Sequence, residues 1–155
     1  VFPETRSDVN LLLNGSLIVE KPGFPGDTID LREIASSIVL TAKKTEDRWK
    51  QLARGVLEKS IPREIQYIYT GAKKACMYFP LPESFIDGIV QCCVLSSAIS
   101  EDSIALYLPT ITSNVRSALA IKLNEVKKGQ SKGLKDLVRA AVLMGWTPPG
   151  YIYKR

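Results

Sequence analysis

Between Leu81 and Ile99 the chain reads LPESFIDGIVQCCVLSSAI, and no other stretch is so apolar around its whole circumference when wound as a helix. Phe85, Ile86, Ile89, Val90, Cys93 and Val94 do not share one stripe. A helix apolar on several sides belongs inside a protein core rather than on its surface. Its length approaches that of a bilayer span, but Glu83, Asp87, Gly88 and Gln91 interrupt it where hydrocarbon penalises them. The stretch is therefore predicted to be a core helix over about 82–99, enclosed by the rest of the chain.

What encloses it is read from the flanking periodicity. Asp27 or Thr28 is expected to cap a helix through Leu31, Ile34 and Ile38 to Lys43-Lys44, and Thr45 to start another through Trp49, Leu52, Ala53 and Val56 to Lys59. Ser60 with Pro62 restarts a third, carried by Ile65, Ile68, Tyr69, Ala72, Cys76 and Phe79 as far as Pro80. Beyond the core helix, Ser100 opens a short segment stopped by Pro109. Thr112 or Ser113 caps the next, with Val115, Leu119, Leu123 and Val126 on one face, ending at Gly129. Ser131 starts the last, with Leu134, Leu137, Val138, Ala141 and Val142 inward as far as Gly145. The fold class that follows is all-α, an irregular bundle of six to seven helices around the 82–99 helix.

Both ends read as arms. Val1–Arg6 is uncapped, and Val9–Leu13 with Leu17–Glu20 is read as a small β-hairpin across Asn14-Gly15, in preference to a short helix from Ser7. The Pro/Gly run Lys21–Gly26 then separates this appendage from the body. The expected organisation is an N-terminal arm over 1–26, one helical domain over 27–145 and a C-terminal arm over 146–155. A start at Val1 rather than methionine leads us to expect an excised domain or a processed product.

Chemistry is limited by what the composition omits. The chain has no histidine, so Ser-His and Cys-His nucleophile pairs are excluded, as is the commonest transition-metal ligand. Neither G-x-x-x-x-G-K-[ST] nor G-x-G-x-x-G occurs. The three cysteines, Cys76, Cys92 and Cys93, form no C-x-x-C pair and lie in apolar stretches, as small buried hydrophobes in a reducing, intracellular compartment would. Glu46-Asp47 and Glu101-Asp102 stand at proposed helix starts, where the helix dipole favours them. Glu83 and Asp87, spaced i, i+4, are the remaining carboxylate pair, and Glu83 again falls in a first turn. The expectation is a non-enzymatic protein with no metal and no cofactor.

Charge is distributed unevenly. Residues 75–114 carry four acids and no Lys or Arg, whereas residues 115–155 carry nine basic residues and two acidic ones. Lys132, Lys135 and Arg139 fall within about 60° of one another at 100° per residue, opposite the Leu134, Leu137, Val138 and Ala141 stripe. Lys127 and Lys128 precede that ridge, and Lys154 with Arg155 can swing near it. Such a cluster contacts several phosphates, so single-stranded RNA or an anionic membrane surface is the expected partner. A second basic set, Lys43, Lys44, Arg48, Lys50 and Arg54, is diluted by Glu46 and Asp47 and reads as a solvated face.

The C-terminal arm concentrates Trp146, Tyr151, Ile152 and Tyr153 where no helix can bury them. It either folds back on its own body or docks on a partner, and docking on a second copy would give a head-to-tail assembly. These features together have the texture of small nucleocapsid or matrix-type proteins of RNA viruses, an analogy of design that rests on no matched motif. The function expected is that of a self-associating structural protein, virion-associated under that analogy, which binds RNA or another polyanion. The alternative is a protein-interaction module, an adaptor or polymerase-cofactor domain, whose arms or apolar grooves hold a partner.

Overall fold

A computed structural model describes residues 17–71, 78–97 and 99–148. These are predominantly helical, with two small two-stranded sheets. In chain order they form β1 (Ile18–Glu20), β2 (Thr28–Asp30), α1 (Leu31–Ser36), α2 (Thr45–Ser60), α3 (Arg63–Gln66), β3 (Tyr69–Thr70) and β4 (Phe79–Pro80). There follow α4 (Glu83–Leu95), a 3₁₀ turn at Glu101–Ser103, α5 (Ile104–Lys127) and α6 (Leu134–Leu143).

The apolar stretch becomes α4, packed against α1, α2, α5 and β1. Phe85, Ile86, Gly88, Ile89, Val90, Cys92, Cys93 and Val94 are all buried. Its polar interruptions Glu83, Asp87 and Gln91 recur every fourth residue and are exposed, so they fall on one edge and leave the remaining circumference apolar. Gly88 admits close approach, since a Cβ there would lie 2.4 Å from Leu31 Cδ1. The helix stops at Leu95 rather than Ile99. The Ser96 and Ser97 hydroxyls donate to the Cys93 carbonyl at 3.0 and 2.8 Å, while Ser97 Oγ accepts from Trp49 Nε1 at 2.8 Å. Serine thus satisfies the orphan end of the helix locally. No helix of the described residues is long and apolar enough to cross a membrane.

At the N-terminal end, β1 pairs antiparallel with β2, setting Val19 opposite Ile29. The Lys21–Gly26 run is therefore the loop of a hairpin rather than a separator, and the helix expected from Asp27 begins only at Leu31. The loop closes through Lys21 N to Asp27 O at 2.8 Å, with Gly23 and Gly26 at φ 81° and 88°. Asp30 joins the two elements: its carboxylate accepts from Leu17 N at 3.0 Å and caps α1 through Arg32 N at 3.1 Å. At the far end of α1, Ser36 and Ser37 donate back to Glu33 O and Ile34 O, and the chain leaves helical geometry before Lys43-Lys44. Residues 9–15 of the expected Asn14-Gly15 hairpin lie outside the described residues.

The helix predicted from Ser60 to Phe79 is also replaced. Pro62 precedes a single turn, α3, and the chain then extends as β3, which pairs parallel with β4. Ile65, Ile68 and Tyr69 are buried as predicted, but an aromatic beside a β-branched pair favours an extended backbone. Gly71 allows that backbone to lie on α5, since a Cβ there would come within 2.8 Å of Ala120 Cα. Ala72 and Cys76 lie outside the described residues.

The two helices expected on either side of Pro109 are one, α5. Proline removes the bond to the Ala105 carbonyl, but that residue is exposed and near the helix start, where water can take its place. Thr112, expected to cap a new helix, instead donates to Leu108 O at 2.8 Å inside α5. Ile111, Val115, Ala118, Leu119, Leu123 and Val126 line the buried face, packed chiefly on α2. Outside that contact, Glu58 bridges Arg63 at 3.0 Å and Lys122 at 3.1 Å. Partial burial works to raise the Glu58 carboxyl, but the bonds and charges of Arg63 and Lys122 outweigh it and hold it below the usual range.

After α6, Gly145 turns the chain at φ 97°, and Trp146, expected to leave the body in an arm, enters the core at 2% exposure. Its indole Nε1 donates to Tyr69 OH at 3.0 Å, and its ring meets Phe79 edge-on at 5.2 Å between centroids. Thr147 N then donates to Gly23 O at 2.7 Å. Gly23 leaves the space the indole fills, because a Cβ there would lie 2.0 Å from Trp146 Cδ1. Gly23→Ala and Gly26→Ala share the left-handed penalty of about 1–2 kcal/mol, but nothing lies within 4 Å of a Cβ at Gly26. Chemical denaturation should therefore show Gly23→Ala as the more damaging by a further ~1–3 kcal/mol of overpacking; equal losses would mean the indole does not sit on Gly23.

Candidate polyanion-binding surface

The predicted basic residues separate into different environments. Lys127 is half-buried at the end of α5, donating to the carbonyls of Tyr69 and, at 3.1 Å, Leu123, with its ammonium 4.8 Å from the centre of the Tyr78 ring. It ties the C-terminus of α5 to β3, so it does not join the outward ridge. The carbonyls it caps belong to a helix end and a strand, where a cation is favoured.

Lys128, Lys132, Lys135 and Arg139 are exposed. Lys128 follows the last turn of α5. Lys132 sits in the connection to α6, where its N–H donates to Gln130 Oε1 at 2.8 Å. Lys135 and Arg139 project from α6 one turn apart, on the face opposite the buried Leu137 and Ala141. Among the described residues no ion pair engages the three lysines, and Arg139 is 4.0 Å from Asp136 on the same helix. Such an exposed i,i+3 pair at that distance holds the guanidinium weakly. Lys154, Arg155, Tyr151, Ile152 and Tyr153 lie outside the described residues, and Trp146 is in the core rather than on a docking arm.

Val142 also departs from expectation: it is half exposed instead of part of the inward stripe, and Leu143 and Met144 beside it are exposed too. Helical geometry carried the signal, since Val142 lies about 140° round from Leu137.

The second basic set is partly consumed by structure, with Arg48 Nη1 donating to Ala42 O at 3.1 Å and Arg54 Nε to Lys50 O at 3.5 Å. Of the carboxylates, Glu83 pairs with Arg116 of α5, whereas Asp87 is exposed on the outer edge of α4. Among the described residues no group of three or more His, Cys, Asp and Glu side chains could hold a metal ion. Cys92 and Cys93 are free and buried; burial pushes the Cys92 thiol up to about 12 and the Cys93 thiol well above its ordinary value. What this surface offers chemically is solvent-exposed positive charge. No protein family, curated protein or solved structure matches the chain.

Three measurements test these placements. Lys127→Ala should lower stability by about 1.5–3 kcal/mol, the range for bonds from a charged donor, while Lys132→Ala and Lys135→Ala stay within about 0.5 kcal/mol of wild type. Equal denaturation midpoints for all three would remove the internal role of Lys127. Brief iodoacetamide treatment of native protein at mildly alkaline pH should leave Cys92 and Cys93 unlabelled by peptide mass spectrometry and label both in guanidinium. Because the raised thiols stay protonated when folded and ionise when unfolded, stability should fall as pH rises above the ordinary thiol range. Rapid native labelling would show that the thiols are accessible.

Proposed function

We propose that this is a non-enzymatic structural protein that binds a phosphate-bearing polyanion through Lys128, Lys132, Lys135 and Arg139, with Lys154 and Arg155 adding charge. In this reading the helices form an irregular bundle around α4, and the tail bearing Tyr151, Ile152 and Tyr153 contributes self-association. RNA packaging or attachment to an anionic surface, as in a nucleocapsid or matrix-type protein, is the corresponding role. The observation that carries the proposal is the exposure of four cations on α6 and its approach, three of them outside any ion pair among the described residues. Lys135 and Arg139 stand on a helix whose other face is packed, so the backbone that carries them need not reorder on meeting phosphates, and the counterions the cations displace drive binding.

Titration with single-stranded RNA and retention on heparin test this. Four phosphate contacts on a single strand predict log K falling with log salt at a slope of about −3. Lys132→Glu combined with Lys135→Glu should weaken binding at least tenfold and roughly halve the slope. No binding to either polyanion at low salt, or binding indifferent to the double substitution, overturns the proposal.

A further inference from the structure

The face of α6 that carries Lys135 and Arg139 also carries Val142 and Leu143. At about 100° per residue these four fall within about 100° of one another, opposite Leu137 and Ala141. Leu143 is 84% exposed and Val142 50%, and Met144 extends the run. The other exposed large apolar side chains among the described residues, Ile18, Val39, Leu106 and Ile121, stand singly in the sequence. A lone exposed leucine needs no explanation, but an apolar run at the end of a row of cations marks a binding surface.

The tip is held in place. Met144 N and Gly145 N donate to Ala141 O and Val142 O at 3.0 Å each, and Trp146 N also reaches Ala141 O, at 3.1 Å. The turn at Gly145 that sends Trp146 into the core leaves Leu143 projecting outward.

We infer that this face of α6 is an anionic-membrane contact, with Lys128, Lys132, Lys135 and Arg139 meeting lipid phosphates and Val142, Leu143 and Met144 entering the headgroup–acyl boundary. The inference rests on the polyanion reading above and names its partner. Charge complementarity selects the occupant: a second copy docked face to face by a twofold axis would set these cations against their equivalents. RNA satisfies the cations but not the tip, because bases stack on aromatic planes and the segment that carries this face, residues 128–144, contains no aromatic side chain. Cations flanking exposed aliphatic side chains on one helix face suit an interfacial contact. Asp136, 4.0 Å from Arg139, is the acid on this helix that opposes it.

Flotation of the full chain with equimolar phosphatidylcholine–phosphatidylserine vesicles, against phosphatidylcholine alone, tests the contact, with single-stranded RNA titrated in parallel. Expected is binding to the anionic vesicles only, weakened about fivefold for each lysine neutralised and at least tenfold by Val142→Ser with Leu143→Ser. RNA binding should be unmoved by that apolar pair. Asp136→Asn should strengthen vesicle binding, a gain that damage to the fold does not produce. Vesicle binding that depends on the cations but not on Val142 and Leu143, or RNA binding with none to the anionic vesicles, overturns the membrane contact and leaves the polyanion reading standing. Vesicle binding that needs no phosphatidylserine also overturns the contact, and loss of every polyanion interaction removes both.

Discussion

The indole of Trp146 joins parts of the chain that nothing local would bring together. It rests on the hairpin loop at Gly23, bonds Tyr69 of β3 and meets the Phe79 ring of β4, and its own backbone closes the end of α6. Strands of two or three residues are too short to be stable alone. Seated against a large aromatic, each gains buried surface and a fixed position. Burial also pushes the Tyr69 phenol up, with the indole bond acting against it, so this hydroxyl stays neutral and able to accept. Lys127 reinforces the same junction from the other side by donating to the Tyr69 carbonyl.

What was legible in the sequence was burial more than backbone conformation. Leu52, Val56, Ile65, Ile68, Tyr69, Leu119 and Leu123 are all inside as expected, although some sit in elements other than those predicted. Apolar spacing reports which side chains avoid water, and a helix, a turn and a short strand can each satisfy the same few positions. Thus Ile65, Ile68 and Tyr69 fit a helical stripe while the chain makes one turn and then extends. Two punctuation signals mislead for identifiable physical reasons. Pro109 lies near enough to a helix start that its missing bond falls on an exposed carbonyl. Lys21–Gly26 has the glycines of a tight loop, and the strand pairing it closes depends on partners eight to twelve residues away rather than on Asn14-Gly15.

The candidate surface was legible in its charge and not in its apolar part. Lys132, Lys135 and Arg139 are spaced so that any α6 burying Leu137 and Ala141 must turn them outward. Lys127 differs from Lys128 by nothing in sequence, yet one caps backbone carbonyls and the other faces solvent. The distinction lies in where β3 passes the end of α5, a long-range contact that local pattern does not encode. Val142 departs from the expected stripe for a simpler reason, since an apolar side chain about 140° round from Leu137 does not face inward.

The two ends of α6 therefore have linked roles. Its inner face needs only Leu137 and Ala141 fully buried, with Leu134 and Val138 at the margins, because Trp146 supplies the bulk that a ten-residue helix lacks. With that load carried by the residue after the helix, Val142, Leu143 and Met144 are not required by the core. Their exposure is a consequence of the Gly145 turn and not of loose packing: bonds to the Ala141 and Val142 carbonyls fix the tip that carries them. A tip whose backbone is already held leaves only side chains to be ordered on binding, which is the condition under which a small contact area yields useful affinity.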